Sequence, residues 1–166
     1  EEITSVNVEG LKKGSYDLIF GSYSASEPNI EFVPIIQQEI VAILPTVHPL
    51  CHKEALSAKD LADCPVLGYA RHSGLGKYTR SFFKKHDVSP NFICESPDEN
   101  GIASLVAHGF GIALVADVDT IYRDDICIRP LVSNESFSHT VYMGYIRGKY
   151  QLPAVQRFIE FVKQHG

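Results

Sequence analysis

The sequence predicts an α/β fold with mostly parallel sheets, because strand-like and helix-like segments alternate along it. Short apolar segments alternate with segments whose apolar residues recur at helical spacing, which is the pattern of strand–helix repeats. Glu95–Asp117 shows it most completely, because it combines a helix start, a helix, a helix stop and an all-apolar strand. With 166 residues, of which 45% are hydrophobic, the chain is long enough for one good core or two small lobes.

The first third of the chain is predicted to form a short helix, a strand and two extended segments. Thr4 or Ser5 is a candidate N-cap of the helix, because a hydroxyl there can accept from free backbone N–H groups. Tyr16–Phe20 is a compact apolar run that predicts a strand. Ile30–Ile36 and Glu39–Leu44 follow as extended segments, and the polar residues between them mark a candidate crossing point between lobes.

Strands and helices alternate through the rest of the chain. Ser57 and Ser73 are candidate N-caps, and Pro153 suits the first turn of a final helix. Apolar runs predict the remaining strands, at Val66–Tyr69, Asn91–Glu95, Ile112–Ala116, Ile126–Leu131 and Thr140–Ile146. Helices between strands predict parallel pairing, since parallel neighbours need a crossover connection.

The central helix has both of its ends marked in the sequence. Ser96, Pro97 and Glu99 form the pattern of a capping box, with Ser96 as the N-cap. Gly109 can adopt the left-handed conformation that ends a helix in a Schellman motif, with Phe110 after it. A helix that begins so sharply directs its free backbone N–H groups at one point, which suits a small anion.

Composition and charge narrow the function classes. The net charge of −5 argues against a large nucleic-acid surface, because phosphate binding needs clustered Lys and Arg. The four cysteines form no CxxC pair, and we expect reduced thiols in a cytoplasmic protein, although a secreted protein could use them in two disulfides. No apolar run is long enough for a membrane span.

The fold class itself predicts where ligands bind, because open α/β sheets hold them beyond the carboxyl ends of strands, near helix N-termini. Ser22 after the first strand and the helix starts at Ser73 and Ser96 are such points. Gly74–Lys77 fails the phosphate-loop motif, because Tyr78 stands where Ser or Thr is required. A backbone nest for a carboxylate and a ligand-free capping turn both remain open for this loop.

Three side chains flanking this loop, Arg71, His72 and Lys77, would add positive charge to it. Together with the helix starts they favour an anionic ligand.

Two other patterns are better explained without a ligand. His48, Cys51 and His52 have spacings that a zinc site could use, but no second ligand pair lies nearby, so a surface loop is favoured and no metal is predicted. Gly109–Gly111 ends a helix and starts a strand, which is the reverse of a dinucleotide fingerprint, so no cofactor is predicted.

The sequence contains no recognisable catalytic set. It lacks GxSxG, HExxH and a cysteine with a partner base. Asp98 and Glu99 are better explained as first-turn residues favoured by the helix dipole than as an acid/base pair. We therefore predict that the chain is not an enzyme; a small α/β transferase or deaminase-like enzyme is the weaker alternative.

Five segments of the chain resemble the effector-binding domain of LysR-type transcriptional regulators, in that family's order and spacing. They are LKKGSYDLIFG (Leu11–Gly21), EIVAILPTVHPL (Glu39–Leu50), SAKDLADCPVL (Ser57–Leu67), SLVAHGFGIALV (Ser104–Val115) and LPAVQRFIEFV (Leu152–Val162). The resemblance implies two Rossmann-like lobes joined by two crossing strands, as in type 2 periplasmic binding proteins. It assigns residues 1–37 and 147–166 to the first lobe and residues 38–146 to the second, with an effector in the cleft.

The same resemblance implies a set of effector-binding residues at helix starts and strand ends. They are Thr4, Ser22, His72, Ser73, Gly74, Leu75, Gly76, Pro97, Asp98 and Ala116. The implied partners are a small carboxylate or amino acid, other copies of the chain in a dimer or tetramer, and DNA through a helix-turn-helix domain that is not among the matching segments. No membrane partner is implied.

A solute-binding protein of a transporter is the alternative that shares this two-lobed architecture. The two alternatives differ upstream of Glu1, where a regulator has a helix-turn-helix pattern and an exported protein has an apolar signal segment. The first strand and helix of the family's domain are also expected upstream of this sequence.

Overall fold

The computed structural model describes residues 4–165, in which strands and helices alternate. The helices are α1 (Thr4–Lys13), α2 (Gly74–Lys85), α3 (Glu99–Ala107) and α4 (Pro153–His165). The strands are β1 (Ile19–Gly21), β2 (Ile30–Pro45), β3 (Pro65–Tyr69), β4 (Asn91–Ser96), β5 (Ile112–Ala116), β6 (Ile126–Arg129) and β7 (Ser138–Ile146). Short 3₁₀ helices lie at Pro49–His52, Ala58–Leu61 and Asp119–Ile121. The α/β class is confirmed.

The chain divides into two compact units. Unit 1 contains the described residues up to Gln37 and those from Thr140 onward, and unit 2 contains Gln38–His139. The first division lies at the predicted crossing point. The second lies inside β7, before Thr140, rather than after Ile146 where the resemblance had it.

The sheet of unit 2 has the strand order β6-β2-β5-β3-β4. β3 pairs in parallel with β4 and with β5, whereas β2 is antiparallel to both β5 and β6. Strand directions are therefore more mixed than expected. The helical crossovers α2 and α3 impose parallel pairing on β3, β4 and β5, while β2 enters the sheet without such a crossover.

β2 is one continuous strand of 16 residues instead of two extended segments. The polar pair Gln37-Gln38 lies inside it, and no Gly or Asn interrupts the extended backbone there. Within unit 2 the strand becomes deeply buried from Ile40 to Pro45, which is where it pairs with β5 and β6. Burial on both sides therefore begins only after the crossing point.

β5 lies at the centre of the unit 2 core, with all five residues buried. Ile112, Leu114 and Ala116 pack into one apolar cluster, while Ala113 and Val115 pack into a second. Successive side chains of a strand point to opposite faces, so the two clusters cover the two faces of the sheet. The prediction of an all-apolar strand buried on both faces is confirmed.

Unit 1 is built on a smaller core. Val8 and Leu11 of α1 pack against Ile19 and Ile30, and β1 pairs antiparallel with β7. β1 is shorter than predicted and begins only at Ile19. The ring of Tyr16 lies over Gly10, so the preceding residues form a turn against α1 instead of extending the strand.

Two of the predicted helix signals act as expected. Gly109 has φ +77°, and the N–H groups of Gly109 and Phe110 donate to the carbonyls of Val106 and Leu105 at 2.8 and 3.2 Å. These two bonds are the Schellman motif that was predicted to end α3. Ser57 accepts from Asp60 N–H and Asp60 accepts in return, which forms a complete capping box.

All four cysteines are free thiols, and they differ in exposure. Cys127 is buried, Cys51 and Cys64 are half-buried and Cys94 is exposed. Burial and a hydrogen bond with the Cys127 thiol raise the pKa of Cys51 to about 11, so this thiol is protonated at neutral pH. Among residues 4–165, no helix is long and apolar enough to cross a membrane.

We predict that Gly76→Ala lowers the free energy of unfolding by about 1–3 kcal/mol, the usual cost of forcing an extra group into a packed site. A Cβ at Gly76 would stand 2.1 Å from the carbonyl oxygen of Ala70, and that atom belongs to the backbone. Urea denaturation checks this. Lys77→Ala, at an exposed position one residue later, is the control and should change stability by less than about 0.5 kcal/mol.

We predict that protonation of His139 makes stability fall as pH is lowered. Burial lowers the pKa of His139 below its usual value near 6.5, and the negative charge of Glu99 opposes this shift. Near and below pH 6.5 the unfolded chain then binds more protons than the folded chain, so the stabilisation is complete above that pH and decreases below it.

Urea denaturation at pH 7.5 and 5.5 measures this dependence. His139→Gln should reduce the difference in unfolding free energy between the two pH values, and His52→Gln, at an exposed position, should leave it unchanged. An equal pH dependence in wild type and His139→Gln would contradict the assignment.

Candidate functional site

The start of α2 is a tight turn closed by Ser73. Its backbone N–H donates to Ala70 O and its hydroxyl accepts from Gly76 N–H, both at 2.9 Å. Gly76 is the residue that allows Ala70 to approach, because no side chain fits between them. The predicted N-cap at Ser73 is confirmed, and the turn brings the first N–H groups of α2 to the end of β3.

The start of α3 differs from the prediction. The N-cap is Asp98, whose Oδ1 accepts from Gly101 N–H at 2.9 Å, and the capping box of Ser96 and Glu99 is absent. Ser96 cannot cap the helix because it is the last residue of β4, opposite Tyr69. Its hydroxyl instead donates to Asp98 O at 3.3 Å. The strand thus runs through Ser96, one residue beyond its predicted end, and the helix cap lies at Asp98, two residues later than the local pattern places it.

The starts of α2 and α3 lie at the same edge of the unit 2 sheet. They follow the adjacent parallel strands β3 and β4, and the N–H of Ala70 donates to Ser96 O at 2.9 Å just beyond the ladder. The bond fixes the two strand ends side by side. Two helix N-termini consequently converge on one edge, which concentrates partial positive charge there.

The buried side chain of Tyr69 connects the elements that meet at this edge of the sheet. Its side chain is 2% exposed, its hydroxyl donates to Glu99 Oε1 at 2.7 Å and it accepts from Ala116 N–H at 3.0 Å. One oxygen therefore joins the ends of β3 and β5 to the first residue of α3. In the sequence, the only signal of this role is that Tyr69 is the last residue of an apolar strand.

Side-chain charge at this edge is more balanced than expected. Glu95 accepts from Arg71 N–H at 2.9 Å and from Arg80 at 2.6 Å, and Arg71 Nε lies 3.7 Å from the same carboxylate. The Arg71 N–H, together with the charges of Arg80, Arg71 and His72, lowers the pKa of Glu95. Arg71 thus shares its charge with Glu95, and Lys77 remains exposed on the first turn of α2.

In unit 1, the predicted residues Thr4 and Ser22 meet each other. Thr4 Oγ1 accepts from Ser22 N–H at 3.0 Å, and a Cβ at Gly21 would stand 2.8 Å from the same oxygen. Thr4 and Ser5 both lie within α1, so neither is seen as its N-cap. The Thr4 hydroxyl connects the start of α1 to the residue after β1 instead.

The structure places the predicted residues of unit 2 in three positions. His72–Gly76 form the turn and first residues of α2, and Pro97 and Asp98 precede α3 on the same edge. Leu75 also packs into both apolar clusters, so its side chain is structural as well. Ala116 is fully buried and its N–H already donates to Tyr69, so a ligand cannot use that donor without breaking the bond.

The residues considered for a zinc site or for acid/base catalysis have structural roles. His48 Nδ1 accepts from Leu50 N–H and caps a 3₁₀ helix, which matches the loop interpretation. Asp98 caps α3 and Glu99 accepts a hydrogen bond from the Tyr69 hydroxyl, so both carboxylates stabilise the start of this helix. Within residues 4–165, no group of three or more His, Cys, Asp or Glu side chains is arranged to hold a metal ion.

Curated proteins that are similar to this chain over most of its length are transcriptional regulators. HTH-type regulator CatR of Pseudomonas putida is 27% identical over 168 residues, covering 100% of this chain and 57% of CatR. The Hca operon activator HcaR of Escherichia coli K12 is 23% identical over 165 residues, covering 98% and 55%. The chain thus spans about half the length of these relatives. They favour the regulator prediction over a transporter's solute-binding protein.

Solved structures of the same fold align with nearly the whole length of this chain. The effector-binding domain of QuiR, in complex with shikimate, superposes with a TM-score of 0.94 at 24% identity, covering 99% of this chain and 78% of QuiR. The regulatory domain of CcmR from Synechocystis PCC6803, in complex with 2-PG, has a TM-score of 0.85 at 20% identity, covering 98% and 79%.

The family comparison extends over the entire sequence. The model of the LysR substrate binding domain matches residues 1–166. With the two units, the mixed sheet and the helix starts at one edge, this match shows that the chain belongs to the LysR substrate-binding domain family.

Proposed function

We propose that this domain senses a small anionic effector, a carboxylate or an amino acid, at the adjacent starts of α2 and α3. The single observation that carries the proposal is the Ala70 N–H to Ser96 O bond, which holds two helix N-termini at one sheet edge. Helix N-termini offer free N–H donors and a partial positive charge, and both favour an anion. Thr4 and Ser22 are the contribution that we predict from unit 1.

The charge arrangement supports a small ligand with a localised negative charge. The negative charge of Glu95 neutralises much of the positive charge of Arg71 and Arg80, so these arginines attract a distant anion only weakly. The helix ends act over only the first turn, which selects for a ligand group that reaches them directly. QuiR with shikimate and CcmR with 2-PG provide precedents for small ligands in domains of this fold.

We infer that the whole protein is a cytoplasmic transcriptional regulator and not an enzyme, and that the domain controls binding of DNA by a helix-turn-helix domain elsewhere in a homo-oligomer. The curated relatives are regulators about twice the length of this chain. Effector binding then acts by favouring one of two domain conformations, which requires different affinities for the two.

We predict that Ser73→Ala weakens effector binding by about 1–3 kcal/mol, because a hydroxyl that pairs with a charged ligand at a partly buried site contributes in that range. Thr4→Val should have a similar effect from unit 1. Calorimetric titration of the full-length protein with a panel of small carboxylates and amino acids measures the affinities.

Ser57→Ala is the matched control for Ser73→Ala. Both serines are N-caps in unit 2, and each accepts from the N–H three residues later, so loss of the cap costs similar stability. Ser57 is not among the predicted effector contacts, and its replacement should leave affinity unchanged. If Ser73→Ala, Thr4→Val and Ser57→Ala all bind the effector as tightly as wild type, the site lies elsewhere. If the protein binds no ligand of a broad panel, the proposal is contradicted.

We predict that Tyr69→Phe lowers the free energy of unfolding by about 1–3 kcal/mol. Loss of the hydroxyl leaves the buried N–H of Ala116 and the Glu99 carboxylate without this partner, and an unsatisfied buried group costs energy in that range. Tyr122→Phe, on a side chain that is 63% exposed, should change stability far less. Urea denaturation compares the two, and equal effects would show that the Tyr69 hydroxyl is dispensable.

A further inference from the structure

Unit 1 contains a cavity of about 340 Å³ against one face of α4. Ligand sites begin at about 300 Å³, so this volume suits a small molecule. The residues that line the cavity all belong to unit 1, and none is among the predicted effector contacts. Among them are Tyr145, Lys149, Tyr150, Gln151, Glu160 and Lys163.

The carboxamide of Gln151 is the polar group of this cavity that lacks partners. Its Nε2 and Oε1 atoms are both buried, and neither has a hydrogen-bond partner among residues 4–165. A buried donor or acceptor without a partner destabilises a protein, and this one side chain leaves both unsatisfied. The terminal torsion of a glutamine is broad, so the amide can turn toward the cavity that its side chain lines. The cavity is therefore the place where partners for both atoms can be supplied.

The charges around the cavity are balanced. Lys163 Nζ donates to Glu31 Oε1 at 3.2 Å and to the Tyr145 hydroxyl at 2.7 Å, and that hydroxyl in turn donates to Glu31. Glu160 and Lys149 add one negative and one positive charge, both on exposed residues. A ligand meets no excess of either charge here. Because burying an ion without an opposite partner is costly, this balance favours an uncharged ligand.

We propose that this cavity is a second ligand site, which shares no residue with the proposed effector site, and that it binds a small uncharged amide. A carboxamide, or an amide within a ring, presents an acceptor beside a donor and so pairs with both atoms of the Gln151 amide. Tyr150 lines the cavity and is 80% exposed, so an aromatic ring on the ligand gains a stacking partner there. A carboxylate lacks the donor and brings a charge that the cavity does not balance.

The test is a ligand-observed NMR titration of the full-length protein with two amides and, for each, an analogue of similar shape that lacks the donor. Nicotinamide carries a carboxamide on a ring and is paired with nicotinate. Uracil has the amide within the ring and is paired with 1,3-dimethyluracil. We expect at least one amide to bind at least about 5-fold more tightly than its analogue, the factor that corresponds to one buried group left unsatisfied. The two pairs distinguish a carboxamide from a ring amide.

Gln151→Leu removes both amide atoms at nearly constant size and should abolish the preference for the amide. Because the wild-type amide has no partner to lose, the midpoint of thermal denaturation of this variant should equal or exceed that of wild type, whereas loss of a hydrogen-bonded glutamine would lower it. Gln164→Leu, at an exposed position of α4 outside the cavity, is the matched control and should leave all affinities unchanged. Ser73→Ala, at the start of α2, should also leave amide binding unchanged.

The outcomes separate this inference from the proposed function. A preference for the amide that is lost in Gln151→Leu and kept in Gln164→Leu and Ser73→Ala supports the second site. The second site is overturned if neither amide binds, if the preference is unchanged in Gln151→Leu, or if that variant is less stable than wild type. These results leave the proposed function standing, because carboxylates and amino acids test it separately. Amide binding that is lost in Ser73→Ala would assign the amides to the effector site and would also overturn the inference.

Discussion

The hydroxyl of Tyr69 is the interaction on which the architecture of the candidate site depends. It accepts from the buried N–H of Ala116 at the end of β5 and donates to Glu99 at the start of α3, so one oxygen connects two strand ends and a helix. The environment is shielded from water, which strengthens both bonds and makes their loss costly. The position of α3 relative to the sheet edge is therefore defined by a side chain and not only by the loop that precedes it.

The proposed binding of an anion at this edge does not require an excess of positive side-chain charge. Glu95 pairs with Arg71 and Arg80, and Asp98 is committed to its helix cap. What remains at the edge is the partial positive charge of two helix starts, together with the exposed Lys77. The electrostatic effect of a helix start decays within one helical turn, so it acts only on a ligand group in close contact with the helix end.

Local signals in the sequence predicted most elements, and the errors have identifiable causes. Ser73 and Gly109 act as predicted because their hydrogen-bond partners lie within five residues of them. Ser96 satisfies every local rule for an N-cap, yet β4 continues through it, because pairing with Tyr69 on β3 gains ladder hydrogen bonds that no local pattern reveals. The local pattern predicts two segments for β2, because its polar centre resembles a break, whereas pairing with neighbouring strands keeps the whole strand extended.

Residue types and their spacing along short stretches of chain are enough to predict the α/β class, the family, the helix stop at Gly109 and the all-apolar β5. Long-range packing sets the antiparallel direction of β2, the cap at Asp98, the three contacts made through Tyr69 and the ring contacts among Tyr23, Phe32 and Tyr142. Each of these joins residues that are distant in sequence or depends on which strand is a neighbour. Such contacts are set by packing and by the satisfaction of buried polar groups, which local periodicity does not encode.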